Sequence, residues 1–288
     1  MSKSIKPKSQ LRVLTALTFK QTYAKIGGAI VLATIAIALF GPFFAPHPFD
    51  VFVDAPNAPR SSQLLMGADY MGRDVFARFL CGGRSIIGLS FISTVLGVGI
   101  GLLVGLFAAS ASARIDGIVM RLNDILLAFP QIVFVLLVVS GFGTSIFLIA
   151  ITVGFTHAPR TARIIRAAAA EVMERDFIKA AIAVGEKRRR IILSELLPNV
   201  TSPLLVEFGL RMTYSIGLVA AVSFLGLGLQ PPAADWGLMI NDNRGSMTVQ
   251  PWGVLTPIAA IAIFTIGINF ITDSFAKVAI GIDRKGKE

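Results

Sequence analysis

Apolar residues gather into six long runs along the chain, at 26–44, 85–109, 117–140, 142–158, 203–230 and 252–276, and polar residues fill the gaps. About 20 predominantly apolar residues suffice for a helix to cross the hydrocarbon core of a bilayer. The pattern therefore predicts an all-α polytopic membrane protein with about six transmembrane helices. The first run follows a basic tail, as in a signal peptide, but it is too long and no small-x-small cleavage site follows. It is read as an uncleaved first helix. In the second run Ser93, Gly97, Gly101, Gly105 and Ala109 recur every fourth residue. They put a small-residue groove on one helix face, where another helix, of this chain or of a second subunit, approaches closely. The third run contains Pro130 and should kink there.

One gap differs from the rest. Residues 159–202 interleave Arg160, Arg163, Arg166, Arg175, Lys179 and Lys187 to Arg190 with five acids and many alanines. Alanine and unbranched charged side chains favour helix. Gly185 marks a cheap turn, and a second helix over 187–197 should stop before Pro198. The gap reads as a polar helix-turn-helix held between two spans.

Composition agrees: 54% of residues are hydrophobic, 15% are charged and the mean hydropathy is +0.73, far from a soluble domain, where about a quarter are charged. The net charge of +10 is a matter of topology. Every lysine lies in 1–25, 159–202 or the tail from Lys277. The gaps 45–84 and 230–251 contain none, and in 45–84 four arginines are balanced by Asp50, Asp54, Asp69 and Asp74. The positive-inside bias places both termini, 110–116 and 159–202 in the cytoplasm, with Trp236 and Trp252 as interface anchors outside. The bases lack the interleaved aromatics of a nucleic-acid surface, so lipid is expected as a partner and nucleic acid is not.

Charges within the runs are functional candidates by default. Arg121 with Asp124, and Glu207 with Arg211, are spaced to pair with one another. Asp74 and Arg78 are spaced to form an ion pair on a short surface helix. Catalytic sets are missing: the chain has no GxxxxGK[ST], HExxH, GxSxG or CxxC, one cysteine (Cys81), and two distant histidines, His47 and His157. Neither ATP hydrolysis nor a metal site is expected of it, and no cofactor.

Lys179-Ala180-Ala181, Gly185 and Leu197-Pro198 resemble the Glu-Ala-Ala loop of ABC-importer permeases, with Lys179 and Phe177 in place of its acid and tyrosine. Gly67 to Arg78 (GADYMGRDVFAR) and Ser223 to Gly228 (SFLGLG) resemble signatures of the dipeptide/oligopeptide/nickel branch, and Asn269 and Asp273 its last motif. The resemblance implies a type I permease core of five helices (85–276) preceded by an N-terminal helix (26–44). The remaining divisions are a tail (1–25), an extracytoplasmic loop (45–84) and a C-terminal tail (277–288).

It further implies an inner-membrane subunit of an ATP-driven importer of short peptides, nickel chelates, glycosides or opine-like solutes. Its partners would be a second permease subunit, two ATP-binding subunits and an extracytoplasmic solute-binding protein. Phe177, Lys179, Ala180, Ala181, Gly185, Ile191, Leu197 and Pro198 would form the ATPase-coupling surface, with Arg188 to Arg190 as a partly solvated flank. An ion-coupled carrier or channel is the alternative, and would call for mid-membrane acids or broken helices. A membrane-embedded enzyme would need convergent polar residues within the spans.

Overall fold

The computed structural model describes residues 7–285; Lys3, Lys6 and Lys287 of the tails lie outside them. The helices are α1 (Pro7–Thr18), α2 (Thr22–Phe40, prolonged by a 3-10 turn Gly41–Phe44), α3 (Val75–Ser110), α4 (Ala113–Ala128), α5 (Gln131–Phe142), α6 (Ile146–Met173) and α7 (Asp176–Ala183). Then come α8 (Arg188–Arg190), a π-helical segment Ile191–Leu196, α9 (Leu197–Asn199), α10 (Thr201–Phe224), α11 (Trp236–Asn243) and α12 (Trp252–Lys285). Among the described residues there is no strand, only two isolated bridges, Phe52 to Arg73 and Ala68 to Asp74.

Four helices, Thr22–Phe44, Val75–Ser110, Thr201–Phe224 and Trp252–Gly281, are long and apolar enough to cross a membrane. The third run becomes a broken span: α4 and α5 meet at Phe129 and Pro130 with a bend of 81°, much sharper than a kink. Proline lacks the N–H that would continue the ladder, and it pushes the preceding residue towards extended geometry; Phe129 indeed has ψ 130°. The fourth run is the first half of α6, whose second half is polar.

Several boundaries move from where the apolar pattern ends. α6 does not stop at Pro159; it continues to Met173 with the proline inside. Asn123 Nδ2 donates to Pro159 O (2.8 Å) and Gln131 Nε2 to Thr156 O (2.9 Å), so side chains from the broken span brace the helix around the proline. α3 begins at Val75, ten residues before its apolar run, and at about 1.5 Å per residue its length of about 54 Å exceeds any bilayer. The second helix of the 159–202 gap does not end before Pro198; the π-helical segment carries the chain through it into α9. The N-terminal tail contains α1, which packs on α12 and buries Leu14 and Thr18.

The most extensive helix contact is between α3 and α6, followed by α12 with α2 and α10 with α3. Three apolar clusters fill the bundle. One, near α11, joins Val75, Ile86, Leu89, Val139, Val153, Val222 and Trp236. A second, near α7, joins Leu106, Ile165, Val172, Ile178, Ile191, Leu196 and Val200. The third, Met212, Ile216, Phe264 and Ile268, ties α10 to α12.

Candidate functional site

The turn around Gly185 is built from the inside out. Ile178 of α7, Ile191 and Leu196 point into the bundle and are at most 6% exposed, clamped against α6 by the second cluster. Gly185 closes α7 at φ +83° with open space around its α-carbon. It is there for the left-handed conformation, which glycine alone adopts at no cost, and not for close packing. Gly185 N donates to Ile182 O at 3.0 Å and Glu186 N to Ala181 O at 3.0 Å, satisfying carbonyls at the helix end.

With the clamp inside, the remaining side chains point out. Phe177 is 43% exposed, Ile182 52% and Val184 83%; Ala180 is also exposed and Ala181 half-buried. Around this apolar face the charges pair loosely. Lys179 lies 3.5 Å from Glu174, Arg190 3.0 Å from Glu186 and Arg175 3.9 Å from Glu171.

Of the residues singled out in the sequence, Phe177, Lys179, Ala180 and Gly185 thus form the exposed side. Ile191 belongs to the clamp, and Leu197 and Pro198 are half-buried in the descent to α10. Ile182 and Val184 were missed. The alternation of their neighbours in burial signals them, but only once the handedness of the turn is known.

Arg188 is not simply a solvated flank. Its Nε and Nη2 donate to Ser110 Oγ (3.2 and 3.1 Å), Nη2 also donates to Phe107 O (3.1 Å), and the guanidinium lies over the Phe107 ring, 5.4 Å from its centroid. These bonds fasten the turn to the end of α3. Beside them, Arg166 donates to Asp116 (Nε to Oδ1, 3.1 Å) and Arg163 to Asp124, joining α6 to α4. Asp124 therefore pairs with Arg163 across two helices and not with Arg121, because α4 lies along α6. The hydrogen bonds that Arg166 donates to Asp116 hold its guanidinium above its ordinary pKa.

The small-residue groove of α3 lies against α6 of the same chain. An added Cβ would fall 2.5 Å from Gly154 O at Gly97, 2.5 Å from Thr161 Cβ at Gly101 and 2.7 Å from Ala162 O at Gly105. Ser93, fully buried, continues the same face. Backbones meet here at distances no side chain tolerates, the close approach that small residues permit between helices in a bilayer. On α10, which packs against both helices, Glu207 and Arg211 pair at 2.8 Å, and Thr161 of α6 donates to the same carboxylate at 3.2 Å. His157 is buried beside the groove with neither ring nitrogen hydrogen-bonded.

At the opposite end the chain between α2 and α3 folds over α11. Asp69 accepts from Arg73 (Nε to Oδ2, 2.7 Å) and lies 3.6 Å from Arg78, and Asp242 of α11 lies 3.4 Å from Arg73. Burial pushes the Asp242 carboxyl up, against the pull of Arg78 and Arg73. Asp74 does not pair with Arg78. It caps α3 by accepting from Phe76 N (2.9 Å) and binds His47 (2.9 Å), while Arg78 Nη2 donates to Ala233 O (3.0 Å). Trp236 is no interface anchor: it is 1% exposed, stacks on Phe79 and donates Nε1 to Phe79 O at 2.9 Å.

A helical bundle with several apolar spans, one of them broken, and a polar turn protruding between two of them defines an all-α polytopic membrane protein. The family model described as the inner membrane component of binding-protein-dependent transport systems matches residues 101–279, and that of the N-terminal transmembrane domain of oligopeptide transport permease C matches 18–62. The chain belongs to this family: it is a permease of a binding-protein-dependent ABC importer.

It is 34% identical over 277 residues to a Brucella ovis protein named "Putative peptide permease protein", covering 95% of this chain and 92% of that one. It is 32% identical over 256 residues to the glutathione transport system permease protein GsiD of Pectobacterium atrosepticum, covering 88% and 85%. Among solved structures the inward-facing MetNI methionine ABC transporter matches with TM-score 0.58 at 21% identity, over 69% of this chain and 95% of that one. An amino acid ABC transporter matches with TM-score 0.53 at 18% identity, over 69% and 93%. At these identities the structures speak for the fold.

Proposed function

We propose that this permease carries short peptides or a similar small solute, and that the turn from Asp176 to Leu197 couples it to a partner ATPase. The observation behind this reading is the exposed apolar face of Phe177, Ile182 and Val184, raised on a clamp of buried residues that ties it to α6. Its relatives are named for peptide and glutathione transport. A second permease subunit, two ATP-binding subunits and an extracytoplasmic binding protein complete the importer. ATP is hydrolysed by the partner, and the cleft that closes on the turn moves α6. Because α3 is locked to α6 through Gly97, Gly101 and Gly105, both helices follow, and the bundle switches as a rigid body between its facing states. In this orientation the α7 end and both termini are cytoplasmic, and the α11 end faces the binding protein.

Single cysteines at Ser61, Ser246 and Ser194 in a Cys81→Ser background test the orientation. An impermeant maleimide should label the first two in intact cells and Ser194→Cys only after lysis. Labelling of Ser194→Cys in intact cells reverses the map. Affinity purification of the tagged permease should bring down an ATP-binding subunit, and membranes energised by ATP should take up peptides only when the binding protein is present. A permease that purifies alone and transports down an ion gradient contradicts the reading.

A further inference from the structure

Beside the break between α4 and α5 lies a cavity of ≈ 590 Å³, walled by that break, α6 and α10. This is within the usual range for small-molecule sites. Its lining is mostly apolar, with Gln131, Thr156, Thr213 and Tyr214 as neutral polar groups. One charged residue lines it: Arg160. No aspartate, glutamate or lysine does.

Arg160 is placed unlike every other arginine of α6. Arg163 and Arg166 are paired with Asp124 and Asp116, whereas Arg160 is exposed and has neither an ion pair nor a hydrogen bond among the described residues. The nearby acid is already taken, since Glu207 is buried against Arg211 and Thr161. Arg211 is close enough to Arg160 to repel it. Counted from Ile146, Arg160 lies about 21 Å along α6 at about 1.5 Å per residue, two residues past the apolar run 142–158. A lone guanidinium on the wall of a mostly apolar cavity calls for water or a counter-charge, because apolar surroundings solvate it poorly. The braces from Asn123 and Gln131 on either side of Pro159 fix the stretch of α6 from which it projects.

We infer that the cavity is a station on the solute's path and that Arg160 holds the carboxylate of the passing solute there. A guanidinium offers two parallel N–H donors to a carboxylate. The apolar walls and the Tyr214 ring would take up a side chain, and neutral amides and hydroxyls would meet the peptide bonds. A free carboxylate is common to every unmodified peptide, so one charged contact with neutral walls grips many sequences without choosing among them. The inference rests on the reading of the chain as a peptide permease.

Two measurements on the assembled importer in proteoliposomes test it. Gly217 lines the same cavity and its Cβ position is open, so Gly217→Cys in a Cys81→Ser background reports on the space before Arg160. Anionic and cationic methanethiosulfonates should both modify it from water, and Arg160→Gln should lower the anionic-to-cationic rate ratio by about tenfold, as removal of one near charge does in a poorly screened space. Arg160→Lys should keep most of the ratio. A cysteine inaccessible from water, or a ratio indifferent to Arg160→Gln, means that the guanidinium reaches lipid headgroups instead and overturns the inference.

The second measurement is uptake of trialanine and of trialanine amide. Arg160→Gln should slow trialanine several-fold more than the amide, each relative to wild type, and Arg160→Lys should restore much of it. Equal slowing of both peptides would make Arg160 structural and defeat the inference. If the wild-type importer moves neither peptide, the peptide reading falls, while the thiol rates still decide whether the cavity is a watery anion site.

Discussion

The two ends of the bundle are both rich in charge, yet they spend it in opposite ways. At the α11 end Asp69, Arg73 and Arg78 are at most 2% exposed and form one buried network with Asp242. At the α7 end Glu171, Glu174, Arg175 and Lys179 pair at side-chain exposures of 48–81%, and exposed ion pairs contribute little. Burial of hydrophobic groups is reversed too: Trp236 is sealed inside at one end while Val184 stands out at the other. Charge that is buried and paired fixes one geometry, at the cost of desolvation. Charge left in water leaves a surface free to meet another protein. On the proposed reading the first end is a fixed cap and the second a contact.

Breaking the cap should have the largest effect. Arg73→Ala leaves the buried Asp69 and Asp242 with only the more distant Arg78 as partner, a loss of ~3–5 kcal/mol. Folded permease should fall sharply in membranes, measured by the detergent-extracted monodisperse fraction. A normal yield would mean that water reaches the network and that the two ends do not differ as described.

Gly101→Leu comes next. The new side chain meets Thr161 Cβ and Ala158 O where even a Cβ has no room, and overpacking of this kind costs ~1–3 kcal/mol or more. Both assembly and thermal stability of the purified protein should drop. Unchanged melting would mean that α3 and α6 separate easily, and the rigid link between turn and bundle would be lost.

At the α7 end effects on folding should shrink. Arg188→Ala removes the exposed contact with Phe107, worth ~0.5–1 kcal/mol, together with the bonds to Ser110. The turn should loosen against α3, seen as faster amide exchange at 176–190, with membrane levels near normal. Exchange confined to its wild-type rate would show that the buried clamp alone holds the turn.

The sequence made the spans legible because each is an apolar run in a polar frame, and the groove and the turn legible because glycine spacing and charge interleaving have few other uses. It did not show where helices stop. Pro159 and Pro198 look like ends, but the side-chain braces of Asn123 and Gln131 and a π-helical segment carry the helices through them. Nor did nearness along the chain give charge partners: Asp124 finds Arg163 and Arg78 finds Asp69 because the packing of helices, which no local pattern encodes, brings them together. Trp236 reads as a membrane anchor for the same reason, but the fold buries it against Phe79. The exposed Ile182 and Val184 escaped notice because apolar residues on a turn read as core until the core is known.

The central claim is that the turn around Gly185 is a separable coupling element, and Gly185→Val tests it most directly. At φ +83° a β-branched residue strains the turn by ~1–3 kcal/mol, while the clamp of Ile178, Ile191 and Leu196 and the spans on either side stay in place. The measurement is the amount of ATP-binding subunit that co-purifies per permease, read beside the membrane level of the permease itself. The account predicts a near-normal membrane level with the ATPase yield and uptake reduced several-fold. Wild-type co-purification and uptake in Gly185→Val, with the turn's altered conformation verified by amide exchange, would contradict it.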